Sequence, residues 1–246
     1  MRYMGSKRSL AKEIVPLLQN IIDCEEIETY VEPMCGGANI IDKIKCENKL
    51  AYDKSDTLIA LLQQAAEDFS LIKESTTREE WERAKDYKKK GLKPDELTLA
   101  DIGAIEYFAS FSNGGFPKGY ADLYSGRSHY NEGYRNLQAQ AKDLKDIKFE
   151  SLPYWDLPKM KNCLIYCDPP YYGVSQYGYA REGRFDHHHF WQWVRENSKE
   201  NIVLVSELSA PEDFYVVWEK EYKYTTGTDN NKKITEKIFK YGGNDD

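Results

Sequence analysis

Apolar residues in the first third of the chain alternate between helical and strand-like spacing. Residues 7–22 have helical spacing, with Pro16 expected to bend or shorten the helix. A strand is predicted at 28–32, a helix starting at Ile40-Ile41, a second strand at 49–52, and an amphipathic helix from Leu58 to Phe69. This βαβα order is typical of a parallel sheet covered by helices.

The middle of the chain is predicted to be all helical. Thr77–Glu80 forms a capping box before one helix, and Gly91 is a suitable stop. Further helices are predicted from Thr98 to Phe108 and around 135–144, with a glycine-rich loop at 112–120 between them.

Strand patterns resume after this helical segment, at 147–149, 164–167 and 202–205. Residues 222–241 are predicted to form two antiparallel strands around a loop at 227–231. The pattern therefore predicts an α/β sheet domain made of residues 1–70 and 146–246, with a helical insert at 71–145.

Composition and charge narrow the function classes. The 246 residues suit one domain with a small insert, and no apolar run approaches the length of a membrane span. The net charge of −7 argues against nucleic-acid binding, but residues 71–145 carry 13 basic and 12 acidic residues, so a local basic face is compatible with the sequence. The five cysteines include no Cys-x-x-Cys pair and the N-terminus has no secretory pattern, so we expect a reducing cytosol and no zinc site.

Two strand ends carry candidate binding chemistry. The first strand runs into Glu32-Pro33-Met34-Cys35-Gly36-Gly37, where paired glycines allow a ligand close approach to the backbone. The second strand ends at Asp53, the position of a ribose-binding acid in nucleotide sites of α/β sheets. Each feature alone is compatible with a tight turn or a helix cap, but the spacing favours an adenosine-containing cofactor.

A third strand end gives the most specific signal. Asp168-Pro169-Pro170-Tyr171 directly follows the strand at 164–167. The prolines stiffen the loop, and the Asp168 carboxylate and the Pro169 carbonyl can both accept hydrogen bonds from an amino group. Tyr171 offers a face on which an extruded base can stack.

These motifs resemble the Dam-type DNA adenine methyltransferases, and most closely their phage-encoded branch. The similar segments run in order along most of the chain, and they are 3–7, 30–37, Asp53, 168–171, 185–191 and 235–239. The order, with the cofactor motif before the catalytic motif, is that of the alpha group of amino methyltransferases.

The resemblance implies a Rossmann-like, class I S-adenosylmethionine-dependent sheet of seven strands with a reversed last hairpin and an inserted target-recognition subdomain. It also implies S-adenosylmethionine as cofactor, double-stranded DNA as partner and a cytoplasmic location, in the host cell if the chain is phage-encoded. The residues expected at the cofactor are Tyr3, Lys7, Glu32, Pro33, Gly36, Gly37, Asp53 and Asp168, and those at the adenine are Asp168 to Tyr171. Met34-Cys35 and Ala38 depart from the usual pattern, which leaves the cofactor affinity open.

The insert supplies candidate DNA contacts. Asn113, Lys118 and Tyr120 lie in a polar, aromatic and glycine-rich loop that suits bases and backbone, although a plain surface loop fits equally well. Lys88 and Lys89 could contact phosphates, although a solvated helix end is the simpler interpretation.

Two further patterns have simple explanations. His187 to His189 are consecutive on a predicted helix and point in different directions, so a helix start capped by Asp186 is favoured over a metal site. Tyr172 and Tyr177 to Tyr179 could form a lid over the catalytic loop.

The alternatives at this point are cytosine N4 methylation, methylation of a protein glutamine or an RNA base, and a catalytically silent DNA-binding relative. Asp168 in place of serine or asparagine favours adenine, and the intact Asp-Pro-Pro-Tyr motif argues against a silent relative. The recognised DNA sequence and the oligomeric state remain open.

Overall fold

A computed structural model describes residues 1–91, 93–121, 123–124, 127–172, 185–226 and 229–243. The first half contains α1 (Ala11–Cys24), β1 (Thr29–Glu32), β2 (Asn48–Asp53), α2 (Asp56–Glu67), α3 (Arg78–Lys90), α4 (Leu99–Phe108), β3 (Leu123–Tyr124), β4 (Arg127–Ser128) and α5 (His129–Gln140). The second half contains β5 (Ile147–Ser151), β6 (Cys163–Cys167), α6 (His187–Asn197), β7 (Ile202–Glu207), β8 (Phe214–Thr226) and β9 (Asp229–Tyr241). None of the helices in these ranges is long and apolar enough to span a bilayer.

Seven strands form one sheet in the order β5-β2-β1-β6-β7-β9-β8. Strands β5, β2, β1, β6 and β7 are parallel, whereas β9 runs antiparallel to β7 and pairs with β8 as a hairpin. This is the α/β sheet with a reversed last hairpin that the sequence and its resemblance predicted. The chain moves outward from β1 to β5 and then returns to β6 beside β1, so the strand order reverses between β1 and β6. Ligands of open α/β sheets bind at such a point.

The two faces of the sheet bury separate hydrophobic clusters. Because successive side chains of a strand point to opposite faces, Tyr30 lies in one cluster and Val31 in the other. The larger cluster joins α1 and α2 to the insert helices α3, α4 and α5, and the smaller one lies under α6. Because the insert shares its core with the sheet domain, its helices have a fixed position relative to the carboxyl ends of the strands.

Most helix boundaries follow the predicted caps. Thr77 with Glu80 and Thr98 with Asp101 form capping boxes at the starts of α3 and α4, and Gly91 ends α3 with φ 71°. Helix α4 lies within the core, because every residue from Ile102 to Phe108 is buried.

Pro16 does not shorten α1, which continues to Cys24 because Leu18 and Ile22 beyond it pack into the core, and a bend at Pro16 stays a prediction. Three predictions about the elements are wrong. The helix expected from Ile40 is a single 3-10 turn at Ile41–Lys43, since β2 already begins at Asn48. The middle segment is not all helical, because β3 and β4 form a short hairpin. Strand β8 begins at Phe214, well before the predicted 222, where aromatic and β-branched residues favour a strand.

The contact between α4 and α2 gives a stability prediction. A Cβ added at Gly103 would lie 2.2 Å from the carbonyl oxygen of Thr57. Gly→Ala stabilises an exposed helix by about 1 kcal/mol, but we expect Gly103→Ala to lower the free energy of unfolding by about 1–3 kcal/mol through overpacking. Urea unfolding measures the change, and a stabilised variant would contradict the packing described here.

Candidate functional site

The carboxyl ends of β1, β2 and β6 lie side by side at one edge of the sheet. Glu32 on β1 is in register with Ala51 on β2, and Val31 is in register with Ile165 on β6. Glu32, Asp53 and Asp168, predicted as site residues from separate parts of the sequence, are therefore at the same edge, around the point where the strand order reverses.

The glycine loop after β1 is tied to the end of β2. The Cys35 N–H donates to the Tyr52 carbonyl (2.8 Å), and the Gly36 N–H donates to Asp53 Oδ2 (3.2 Å). The Ser55 N–H donates to Asp53 Oδ1 (3.0 Å). Burial raises the pKa of Asp53, and the two N–H donors oppose that rise. The carboxylate is thus fixed in orientation, and each oxygen keeps a further lone pair for a ligand hydroxyl.

Tyr3 packs directly on this loop. A Cβ on Gly36, whose φ is 47°, would lie 2.9 Å from Tyr3 Cε1, and a Cβ on Gly37 would lie 2.9 Å from Tyr3 Cβ. The Gly37 Cβ would also come within 2.7 Å of Asn39 Nδ2. Both glycines are therefore required for the Tyr3 and Asn39 side chains to approach the backbone.

The Asn39 amide is a candidate hydrogen-bond donor to a ligand of the glycine loop. Its Nδ2 is one of the few buried side-chain nitrogens in the described ranges that has no hydrogen-bond partner. A buried donor in this state carries a desolvation penalty that a ligand acceptor would relieve. Together with the Asp53 carboxylate, it fits a ligand with several hydroxyl and carboxylate oxygens.

The loop after β6 is organised around one buried cation. Lys7 Nζ lies 2.6 Å from Asp168 Oδ1 and 3.8 Å from Glu236 Oε1, and it sits 4.5 Å from the centroid of the Tyr171 ring. The Tyr171 hydroxyl donates to Glu236 Oε1. Residues from the N-terminal segment, the loop after β6 and the last strand therefore meet in one cluster.

The charges in this cluster control the protonation of Asp168. Burial raises the pKa of Asp168, whereas the charge of the Lys7 ammonium and its hydrogen bond to the carboxylate lower it. Lys7 therefore favours the carboxylate form, which can accept a hydrogen bond from a ligand N–H group.

Tyr171 and Tyr172 have different surroundings. Tyr171 is held by its hydroxyl and by Lys7, which lies over its ring. The ring of Tyr172 is 69% exposed, while its backbone N–H donates to Glu207 Oε1 (2.7 Å). The predicted stacking role of Tyr171 stays a prediction, and the structure adds a second, exposed aromatic ring beside it.

Two buried acids of this site were not assigned by sequence reasoning. Glu236 on β9 and Glu207 at the end of β7 are at most 1% exposed, and both contact the loop after β6. Glu236 lies two residues before the buried Ile238, so both side chains are on the same face of β9. A charged residue at such a buried strand position could have indicated a site residue.

The predicted DNA contacts differ in accessibility. Asn113 is buried, and its amide donates to the Tyr107 carbonyl (2.8 Å), so it stabilises the loop. Lys88 Nζ lies 2.8 Å from Asp56 Oδ1. Lys89 is exposed, while Lys118 and Tyr120 are partly exposed. Asn113 and Lys88 thus make contacts within the protein. Contacts of Lys89, Lys118 and Tyr120 with DNA stay predictions.

The histidine segment begins a helix as predicted. Asp186 is the N-cap of α6, and its Oδ1 accepts from the His189 N–H (2.9 Å). In the part of the chain that the structure describes, no group of three or more His, Cys, Asp or Glu side chains could hold a metal. Tyr177 to Tyr179 of the predicted lid lie outside the described residues.

Comparison with known proteins identifies related sequences. A family model described as D12 class N6 adenine-specific DNA methyltransferase matches residues 3–211. The Type II methyltransferase M.FokI of Planomicrobium okeanokoites is 24% identical over 193 residues, which are 70% of this chain and 28% of that protein. The chain thus spans little more than a quarter of this relative.

Among solved structures, the rRNA methyltransferase aviRa from Streptomyces viridochromogenes aligns with 98% of this chain and 87% of its own. The two are 12% identical, with a TM-score of 0.43. The family match agrees with the sequence-based prediction at the level of adenine-specific DNA methyltransferases and supports S-adenosylmethionine as the cofactor. The Dam-type subgroup and the phage-encoded branch remain predictions.

Glu32 gives a pH prediction for this site. Burial raises its pKa to about 8, from an ordinary value of 4.5, while a hydrogen bond from Tyr30 opposes the rise. Because the folded chain then holds this proton more tightly than the unfolded chain, the contribution of Glu32 to stability falls as pH rises between those values. Glu32→Gln should therefore gain stability relative to wild type as pH rises from about 5 to 8.

Urea unfolding at several pH values measures this gain. Glu28→Gln is the matched control, because Glu28 is exposed just before the same strand. If the stability curves of wild type and Glu32→Gln stayed parallel from pH 5 to 8, Glu32 would not be a buried, protonated carboxyl group.

Proposed function

Because this chain belongs to the family of D12 class N6 adenine-specific DNA methyltransferases, we propose that it transfers a methyl group from S-adenosylmethionine to the N6 amino group of adenine in double-stranded DNA. The observation that carries the proposal is the Lys7–Asp168 pair. It places a carboxylate at the start of Asp-Pro-Pro-Tyr, beside the glycine loop and Asp53.

The residues present fit the cofactor. Asp53 suits the ribose hydroxyls, and the glycine loop with the unpartnered Asn39 amide suits the polar methionine end. Tyr3 packs on the glycine loop and Lys7 contacts Asp168, so both would lie beside the cofactor, with Glu32 and Pro33 at the carboxyl end of β1. When bound, S-adenosylmethionine supplies a methyl group carried on a positively charged sulfur.

Asp168 and Pro169 would prepare the amine. The lone pair of an exocyclic amine is delocalised into the base, which makes the nitrogen a poor nucleophile. Hydrogen bonds from its two N–H groups to the Asp168 carboxylate and the Pro169 carbonyl would favour pyramidal geometry and free the lone pair for direct in-line attack on the methyl carbon. The carbon–sulfur bond would break as the nitrogen–carbon bond forms, the sulfur would leave as a neutral thioether, and the nitrogen would lose one proton to solvent. Lys7 would contribute by keeping Asp168 ionised.

The base would be extruded from the duplex, since its amino group is paired and stacked there. Tyr171 would stack on it, with the ring held in place by Glu236 and Lys7. Pro170 would stiffen the loop. The insert at 71–145 would act as the DNA-recognition subdomain, with Lys89, Lys118 and Tyr120 as accessible contacts.

The subgroup proposed is the Dam-type alpha group, because the cofactor motif precedes the catalytic motif and the insert lies between them. A phage-encoded chain would act in the cytoplasm of its host.

Modified-base sequencing tests the function directly. Host DNA is sequenced by a long-read method from cells with the gene, without it, and with the Asp168→Ala variant. We expect N6-methyladenine at one sequence motif only in cells with the wild-type gene. Modification at cytosine N4, or no modification despite expressed and folded protein, would contradict the proposal.

Asp168→Ala should reduce methyl transfer about 10²-fold or more, because a charged acceptor aimed at the transition state is lost. Incorporation of tritiated methyl groups into unmethylated DNA measures the effect. Asp143→Ala is the control, since Asp143 is exposed near the amino end of β5, at the opposite edge of the sheet. Near wild-type incorporation by Asp168→Ala would refute the role of the carboxylate.

Substitutions of Tyr171 test stacking. Tyr171→Phe keeps the ring but loses the bond to Glu236, so it should retain more activity than Tyr171→Ala, in which a stacking contribution of about 1–3 kcal/mol is lost. Fluorescence of 2-aminopurine at the target position should rise when wild-type enzyme binds and should change in the alanine variant. Equal activities of the two variants would leave Tyr171 as an ordinary packing residue.

A further inference from the structure

The insert helices contact Ser55, Asp56 and Thr57, at the start of α2. From α3, the Tyr87 hydroxyl donates to Asp56 Oδ2 (2.6 Å). From α4, Glu106 Oε2 accepts from the Thr57 hydroxyl (2.9 Å), and the Tyr107 hydroxyl lies 3.2 Å from Ser55 Oγ. The start of α2 is therefore bonded to the insert at three successive residues.

Among these contacts, those of Tyr107 lead to both halves of the proposed cofactor site. Its hydroxyl is within hydrogen-bond distance of Ser55, whose backbone N–H donates to Asp53 Oδ1 (3.0 Å). Its ring centroid lies 5.5 Å from that of Tyr3, at an angle of 42°. Tyr3 in turn packs against Gly36. Tyr107 of the insert thus contacts both Ser55, which holds the Asp53 carboxylate, and Tyr3, which packs on the glycine loop.

Tyr107 places a polar hydroxyl in an otherwise apolar part of the core. Tyr107 is 7% exposed, and the neighbouring residues Ile105 and Phe108 are fully buried hydrocarbons. A buried hydroxyl is unfavourable unless it is hydrogen-bonded, and Ser55 Oγ lies within hydrogen-bond distance of the Tyr107 hydroxyl.

We propose that Tyr107 is a cofactor-positioning residue, through which the insert helps to build the S-adenosylmethionine site. Its hydroxyl holds Ser55, and thereby the Asp53 carboxylate, in the orientation that ribose hydroxyls require, while its ring supports Tyr3 over the glycine loop. This inference rests on the proposed function, because it concerns the same cofactor.

The test measures binding of S-adenosylhomocysteine to the purified chain without DNA, by isothermal titration. Tyr107→Phe should raise the dissociation constant about 3- to 10-fold, the effect of losing one hydrogen bond, and Tyr107→Leu should raise it further. Tyr130→Phe is the matched control, because it removes from the insert a hydroxyl that donates to the Lys73 carbonyl (2.7 Å). Its dissociation constant should equal that of wild type.

A double-mutant cycle separates positioning from general loss of packing. Ser55→Ala should weaken binding alone, and adding Tyr107→Phe to it should cause no further loss, since the shared bond is already absent. A thermal melt of each variant checks that the chains remain folded at the titration temperature.

The outcomes are distinguishable. If wild type and Tyr107→Phe bind equally well, the assignment of Tyr107 is overturned and the proposed function stands. The same holds if Tyr107→Phe weakens binding by the same factor in the Ser55→Ala background as in wild type. If folded wild type does not bind S-adenosylhomocysteine, the proposed function itself is contradicted, and this inference with it.

Discussion

The ion pair between Lys7 and Asp168 is the interaction on which the site depends. It joins residues 161 positions apart, and Lys7 is only 8% exposed. A buried charge is tolerated only when a partner replaces the water it loses, so each of these residues requires the other. Glu236 lies near the same ammonium and binds Tyr171, so the pair also fixes the last strand and the aromatic ring. Removing either partner would leave the other without the charge that offsets its loss of water.

The other acids at this edge show why the position of the cation matters. Burial raises the pKa of Glu32 to about 8 and also raises that of Glu207. Asp168 has an ammonium within 2.6 Å that opposes the same effect. Lys7 therefore favours the ionised, hydrogen-bond-accepting form of Asp168 over the effect of burial. Tyr107 extends this arrangement to the insert, since it links Ser55 beneath Asp53 to Tyr3.

Local sequence patterns were sufficient for the parts of the site that lie at strand ends. Asp53 and Asp168 each follow an apolar run directly, and parallel strands bring such ends to one edge. The roles of Glu236 and Glu207 depend on the antiparallel pairing of β9 with β7, which no local pattern specifies. Asn113 looked like a surface residue, but it is buried and bonded to the end of the preceding helix α4. Lys88 is exposed as expected, but its partner Asp56 is distant in sequence, at the start of α2. Which side chains meet in the candidate site therefore depends on contacts between distant segments, which the periodicity of the sequence does not specify.

The most direct test of this account is the pKa of Asp168 with and without Lys7. Carbon-13 NMR of aspartate labelled at the carboxyl carbon follows its titration, with the signal assigned by its absence in Asp168→Asn. Lys7→Met should raise the pKa of Asp168, because burial then acts without the opposing cation, while Arg8→Met should leave it unchanged. The same pKa for Asp168 in wild type and in folded Lys7→Met would contradict the claim that Lys7 keeps this carboxyl group ionised.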